Sequence, residues 1–293
     1  MSWKISVLSD GAECVPYEQP EFRVYAGKNW ISEHYDMHVL CHWHDDLEFA
    51  FMLQGKMTYS INDEVIELQA GEGIFINSRQ LHSNYSADGT DGQYLCVLIH
   101  PSVLCANSLT AERAVEPLLK NTSFPWCKLT EEYSWQSGIL QAVRRILEYS
   151  GKKEPSSMLS VQAQAFIIAE LLFSNMPEDS ASLPYVDRRR TALRNMVSFI
   201  HRHFAEKIAL KDIAAAGNVS ITTCHDIFRR HLRQTPLEYL TRYRLNRAAA
   251  YLRESELSIT EISLACGFSG SSYFAECFRR EMGMSPGEYR RGT

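Results

Sequence analysis

The segment FRRHLRQTPLEY at residues 228–239 returns as FRREMGMSPGEY at 278–289, with Phe, Arg, Arg, Pro, Glu and Tyr each recurring at an offset of 50. Such a repeat confines the end of the chain to two copies of one local structure, and each copy carries its own folding signals. Thr235-Pro236-Leu237-Glu238 and Ser285-Pro286-Gly287-Glu288 both set a hydroxyl at an N-cap, proline at the first helical position and glutamate at the third. Each therefore opens a helix as the FRR-containing helix ends. Upstream, LKDIAAAGNVS (210–220) and ITEISLACGFS (259–269) share an acid, Ile, small residues, Gly and Ser. Gly217 and Gly267 are expected to supply left-handed turns, and Ser220 and Ser269 or Ser271 to cap the next helix. A short helix, a glycine turn and a second helix make a helix-turn-helix, present twice. Two copies are too few for a solenoid.

Between the copies, residues 236–255 read as one helix of about 27 Å, a spacer able to hold two recognition helices near one DNA turn apart. Charge agrees with a polyanionic partner. The net charge is −5, yet residues 187–293 carry 18 Lys+Arg against 11 Asp+Glu, while residues 1–186 carry 12 against 24. Only the C-terminal part is expected to meet nucleic acid.

These hundred residues, with Phe228-Arg229-Arg230, YLTRYRLNRA (239–248) and GFSGSSYFAECFRREMGMSPGEYR (267–290), resemble the DNA-binding domain of the AraC/XylS family of transcriptional regulators. The resemblance implies double-stranded DNA and RNA polymerase as partners; a homodimer is expected through the apolar helix at 156–173, and a cytoplasmic location from the lack of a leader or a membrane-spanning run. Arg229, Arg230, Arg279 and Arg280 are the phosphate-contact candidates; Thr222, Thr223, His225, Asp226, Ser271, Ser272 and Glu276 are the base-contact candidates. Asp226 and Glu276 stand where the family often has arginine. They either accept from cytosine N4 or face solvent and leave base contact to the hydroxyls and His225. Phe228, Phe278, Ile213 and Ile262 read as core.

From about 20 to 105, short apolar segments alternate with turn signals: LEFAFML (47–53), MTYSI (57–61), VIEL (65–68) and IFI (74–76). Many short strands at close spacing predict a β-sandwich or barrel. His42 and His44 with Glu48 and Gly55 fit H-x-H-x3-E-x6-G, and His82 follows the 71–76 strand. These residues resemble the cupin barrel, although Asn77 and Arg79 replace the proline and glycine of its second motif. His42, His44, Glu48 and His82 are candidate ligands for Zn, Ni, Mn or Fe, all of which accept nitrogen and oxygen donors. Alternatively they hydrogen-bond a small-molecule effector or one another, with Trp43, Phe51, Tyr59 and Arg79 lining the pocket. His34, His38 and His100 read as structural.

Residues 110–176 turn helical, and SSMLSVQAQAFIIAELLF (156–173) is apolar over more than one face, so it should be buried against the barrel or a second subunit. PEDSASLPYVD (177–187) reads as a linker. The fold class is therefore α+β: a cupin-like effector-binding barrel (1–108), a helical, candidate dimerisation segment (109–176), a linker (177–188) and an all-α double helix-turn-helix domain (189–293). The function expected is a ligand-responsive DNA-binding regulator, sensing a carbohydrate or other metabolite, and not an enzyme; the alternative is a metal-dependent cupin dioxygenase or isomerase carrying a DNA-targeting domain. No basic-then-apolar leader opens MSWKISVLSD, and YLCVLI (94–99) is too short to span a bilayer, so no membrane association is expected. The eight cysteines form no CxxC pair and read as buried thiols.

Overall fold

The computed structural model describes residues 6–7, 12–34, 37–62, 64–152, 154–178 and 188–292. Most of the expected linker, 179–187, lies outside the described residues. The chain divides into two compact units: Cys14–Val186, and Asp187–Thr293 together with Met1–Glu13. Ala12 and Glu13, expected in the barrel, thus group with the C-terminal unit. Two short strands, β1 (Ser6–Val7) and β2 (Glu13–Cys14), pair with each other.

In the N-terminal unit the strands are β3 (Val24–Trp30), β4 (His38–His42), β5 (Leu47–Gln54), β6 (Lys56–Ile61), β7 (Glu64–Gln69), β8 (Gly73–Ile76), β9 (His82–Tyr85), β10 (Gln93–Ile99) and β11 (Trp126–Leu129). They form a five-stranded sheet ordered β11-β8-β5-β10-β3 and a four-stranded sheet ordered β4-β9-β6-β7. All the paired neighbours in these two sheets run antiparallel. β11 falls inside the stretch expected to be helical; its four residues pair with β8 and are too few to show a period of their own.

The period of two along a strand sorts the side chains into two cores. Ala50 and Met52 of β5, Ile74 and Ile76 of β8 and Tyr94 of β10 join Met57, Tyr59 and Ile61 of β6 in one cluster between the sheets. Their alternates, Leu47, Phe49 and Phe51, Phe75, and Leu95, Val97 and Ile99, join a second cluster with the helices that follow the strands. These helices are α1 (Ser108–Thr110), α2 (Glu116–Lys120), α3 (Ser134–Tyr149) and α4 (Pro155–Asn175), a π-helical turn at Ala111–Val115 linking the first two. Helix α3 buries Ile139, Leu140, Val143 and Ile146, and α4 buries Val161, Ala165, Ile168 and Leu172. Among the described residues α4 is the one helix long and apolar enough to cross a membrane. It is not buried all round: Leu159 is 71% exposed, and Met158, Ile167 and Phe173 are exposed too.

The C-terminal unit is built from α5 (Arg188–His203), α6 (Leu210–Ala216), α7 (Ile221–Leu232), α8 (Pro236–Glu254), α9 (Ile259–Ala265), α10 (Ser271–Met282) and α11 (Pro286–Gly292). The capping boxes form as the letters require: Glu238 accepts from Thr235 N–H at 2.7 Å and Glu288 from Ser285 N–H at 2.8 Å, with each hydroxyl oxygen accepting in return. Ser220 caps α7 through the Thr223 amide. Neither Ser269 nor Ser271 caps α10, because Gly270 occupies the cap and offers no side chain.

The two turns also differ from expectation. Gly267 has φ +75, as a left-handed turn needs, but Gly217 does not; in the first copy the positive φ belongs to Asn218. Gly217 is needed for space, since a Cβ there would lie 2.7 Å from Met196 Cγ. Helix α8 spans about 28 Å at 1.5 Å per residue. Arg244 anchors it by donating to the carbonyls of Phe204 and Glu206, both at 2.7 Å. His201 is stacked on Tyr243 and bonded to the Tyr239 hydroxyl at 2.7 Å; burial, helped by Arg247, lowers its pKa to about 3, so it packs as a neutral ring. Burial likewise pushes the Cys224 thiol up to about 11 and Cys266 up to about 12. Not all eight thiols are buried as expected: Cys105 is exposed, and Cys14, Cys96 and Cys127 are half-buried.

Candidate functional site

Helices α7 and α10 are the second helices of the two helix-turn-helix units, and their burial runs in register at the offset of 50. Cys224, Ile227 and Phe228 are buried on α7, as are Phe274, Cys277 and Phe278 on α10. This inward face leaves Thr222, Asp226, Arg229 and Arg230 exposed on one helix and Ser272, Glu276, Arg279 and Arg280 on the other. Thr223, His225 and Ser271 are half-buried, and Thr223 is already engaged at the Ser220 cap. Among the described residues Arg229, Arg230 and Arg279 make no ion pair, while Arg280 pairs with its neighbour Glu281 at 3.6 Å and donates to Cys277 Sγ at 3.8 Å. Two exposed residues escaped the sequence reading: Ile221, 47% exposed, and Tyr273, 53% exposed. The signal was available, since both belong to the first turn of a recognition helix, the part that faces base edges.

In the N-terminal unit the structure brings His42, His44, Glu48 and His82 together. All four are buried, and one donor atom from each lies within 4.8 Å of the others. The ladder does this: His42 pairs with His82 across β4 and β9, and Glu48 extends from β5 on the face that Ala50 and Met52 share. Every imidazole is oriented from behind. Nδ1 of His42 lies 2.8 Å from the Leu40 carbonyl, Nδ1 of His44 3.2 Å from that of Asp46, and Nδ1 of His82 2.9 Å from that of Gln80. With the proton on Nδ1, Nε2 presents a lone pair, the arrangement that second-shell carbonyls impose on metal-bound histidines. Nε2 of His44 and of His82 approach Glu48 Oε2 at 3.2 and 2.8 Å, and Tyr59 donates to Glu48 Oε1 at 2.9 Å.

The His82 Nε2 contact is an ion-pair distance without hydrogen-bond geometry, so this buried atom has no hydrogen-bond partner. Burial raises the Glu48 carboxyl, but His82 and His44 outweigh it and hold the group well below the usual carboxylate range. Burial, together with His82 and His44, keeps the His42 imidazole well below its ordinary value. Three imidazole nitrogens and a carboxylate oxygen converging in a buried site are a donor set for a borderline divalent cation.

The other expected lining residues divide. Tyr59 belongs to the cluster through its hydroxyl. Phe51 does not: it lies three residues from Glu48, an odd number, so the pleat turns it to the helix side, where it packs under Arg144 with the guanidinium carbon 4.3 Å from the ring centre. Arg79 is also elsewhere, 57% exposed and paired with Asp45 at 2.6 Å, its guanidinium 5.8 Å from the buried Trp43 ring. Arg79 has φ +62, in place of the glycine that the cupin motif sets there.

Comparison with known proteins bears on both units. Residues 213–292 match the family model described as a helix-turn-helix domain, and residues 30–159 match that of the AraC-like ligand binding domain. The HTH-type transcriptional regulator YdeC of Bacillus subtilis is 31% identical over 282 residues, covering 95% of both chains. The HTH-type transcriptional activator RhaS of Escherichia fergusonii is 28% identical over 251 residues, 86% of this chain and 87% of that one. Among solved structures, an AraC-type regulator from Chromobacterium violaceum shares 33% identity over 34% of this chain and 89% of its own, with a TM-score of 0.33.

Proposed function

Because the chain belongs to the AraC-type family of helix-turn-helix transcriptional regulators, we propose that it couples a metal-anchored effector site in its N-terminal unit to promoter binding by its C-terminal unit. The family carries DNA binding and ligand binding, and the relatives are transcriptional regulators rather than enzymes. The metal-enzyme alternative finds no support among them. The observation that carries the metal is the buried His82 Nε2, aimed at Glu48 with no hydrogen bond to satisfy it. His42, His44, Glu48 and His82 would hold a divalent Zn, Ni, Mn or Fe ion. Bound there, the ion would supply a fixed positive charge for the hydroxyl or carboxylate oxygens of a metabolite such as a sugar. The carbonyls behind each imidazole hold the tautomer, and Tyr59 fixes the far oxygen of Glu48.

On the DNA side, Arg229, Arg230, Arg279 and Arg280 bind phosphates. Thr222, His225, Asp226, Ser272 and Glu276, with Thr223 and Ser271 at the helix starts, face base edges. The working domain plan is a barrel to 108, helices to 176, a linker to 188 and the DNA-binding domain beyond. The regulator acts on the promoter with RNA polymerase, in the compartment that holds the DNA, the cytoplasm. It does so as a homodimer. On α4 the exposed residues Leu159, Ala163, Glu170 and Phe173, with Phe166 half-buried against the core between them, repeat at a spacing of four and three that a second helix can follow as a coiled-coil seam.

Elemental analysis of the purified chain tests the metal. About one divalent transition-metal ion per chain is expected for the natural protein and close to none for His82→Ala. Equal, negligible metal in both, after growth in metal-supplemented medium, would leave the cluster as a hydrogen-bonding site and overturn the metal.

A further inference from the structure

The basic C-terminal unit gives nearly every acid a task. Asp212, Glu238, Glu261 and Glu288 each close a helix N-terminus by accepting from the cap residue's N–H. Glu206 bonds His203, and Glu281 pairs with Arg280. Asp226, Glu256 and Glu276 are exposed and make no hydrogen bond or ion pair among the described residues, although Arg230 and Arg280 lie four residues beyond Asp226 and Glu276 on the same helices. Glu256 lies in the loop between α8 and α9, whereas Asp226 and Glu276 occupy the same position in the two copies. Each sits one turn before an exposed Arg-Arg pair and one turn after a small hydroxyl residue, Thr222 or Ser272, so each lies in the middle of the stripe that a recognition helix turns to the major groove.

An acid on that stripe is repelled by phosphates, and most of the reading face between the arginines and the first turn is not held in common: Ile221 faces Ser271 in the alignment of the two copies, Thr223 faces Tyr273 and His225 faces Ala275. Besides the small hydroxyl of Thr222 and Ser272, only the carboxylate is repeated there in kind. A carboxylate can accept and cannot donate. In the major groove guanine offers N7 and O6 acceptors and thymine O4, while adenine sets its N7 acceptor beside its N6 donor. Cytosine N4 is the donor without an acceptor on its own base.

We propose that Asp226 and Glu276 each select a cytosine, so that the operator of one chain carries two specified cytosines about one helical turn, roughly 10 bp, apart. This rests on the reading of α7 and α10 as the DNA-reading helices. It assigns the choice of base to the acids and leaves affinity to the arginines.

Selection from a duplex library randomised over roughly three turns, with the full chain and its Asp226→Asn and Glu276→Gln variants, tests the proposal. Natural protein is expected to enrich sites with two fixed cytosines. Asp226→Asn should shift the choice at one of them, toward adenine, and Glu276→Gln at the other only, because an amide pairs with adenine N6 and N7. Discrimination for cytosine at the affected position should fall about ten-fold. Variants that select the unchanged motif while binding every duplex more tightly would overturn it, showing that the acids only repel phosphate. Failure of the natural chain to enrich any sequence would overturn the DNA reading itself, and the cytosine assignment with it.

Discussion

Alanine at Arg229, Arg230, Arg279 and Arg280 together is expected to lower affinity for duplex DNA on the order of 100-fold or more near physiological salt, and to flatten its salt dependence. Each arginine that neutralises a phosphate releases condensed counterions, contributing about 0.9 to the slope of log K against log salt; losing four should reduce the slope by about 3.6. The loss should fall almost equally on preferred and random sequences, since phosphate contacts carry no base information. The fold should survive, because all four side chains are exposed and the helices are held by Phe228 and Phe278 from the other side. Fluorescence anisotropy at several salt concentrations checks this, and an unchanged slope would remove the arginines from the interface.

The second large effect is expected at α4. Leu159→Glu combined with Phe173→Glu should convert a dimer to a monomer in sedimentation velocity, because both residues lie on the exposed seam and neither belongs to the face that packs on α3 and the barrel. A charge on each side of a coiled-coil seam must be desolvated at every pairing, which a marginal interface does not tolerate. Occupancy of a two-site promoter should fall with it, on the order of 100-fold, as the second DNA-binding unit ceases to be tethered. A dimer that persists in the double variant would move the interface elsewhere.

Legibility followed the range of the interaction. Capping boxes at Thr235 and Ser285 are written in four consecutive letters and formed as written. The His42, His44, Glu48 and His82 cluster draws on three strands and, for His44, the turn after β4, yet the motif spacing sufficed to collect it. Strand parity would have removed Phe51 from the pocket, since β5 is apolar on both faces and only the odd separation from Glu48 distinguishes them. What the letters could not reveal was tertiary. Gly217 looked like a turn glycine, but the neighbour that requires it, Met196, lies 21 residues away in another helix. Arg79 looked like a pocket residue until Asp45 claimed it. Strand β11 is four residues whose reason to extend is the free edge of β8.

The central claim is that one chain reads DNA with both α7 and α10. Hydroxyl-radical footprinting of the full chain on a selected duplex tests it most directly. Each DNA-binding unit should protect two segments on one face of the helix, their centres about 10 bp apart, and Arg279→Ala with Arg280→Ala should weaken one segment before the other. A single protected segment per unit, unaffected by changes on one of the two helices, would contradict it.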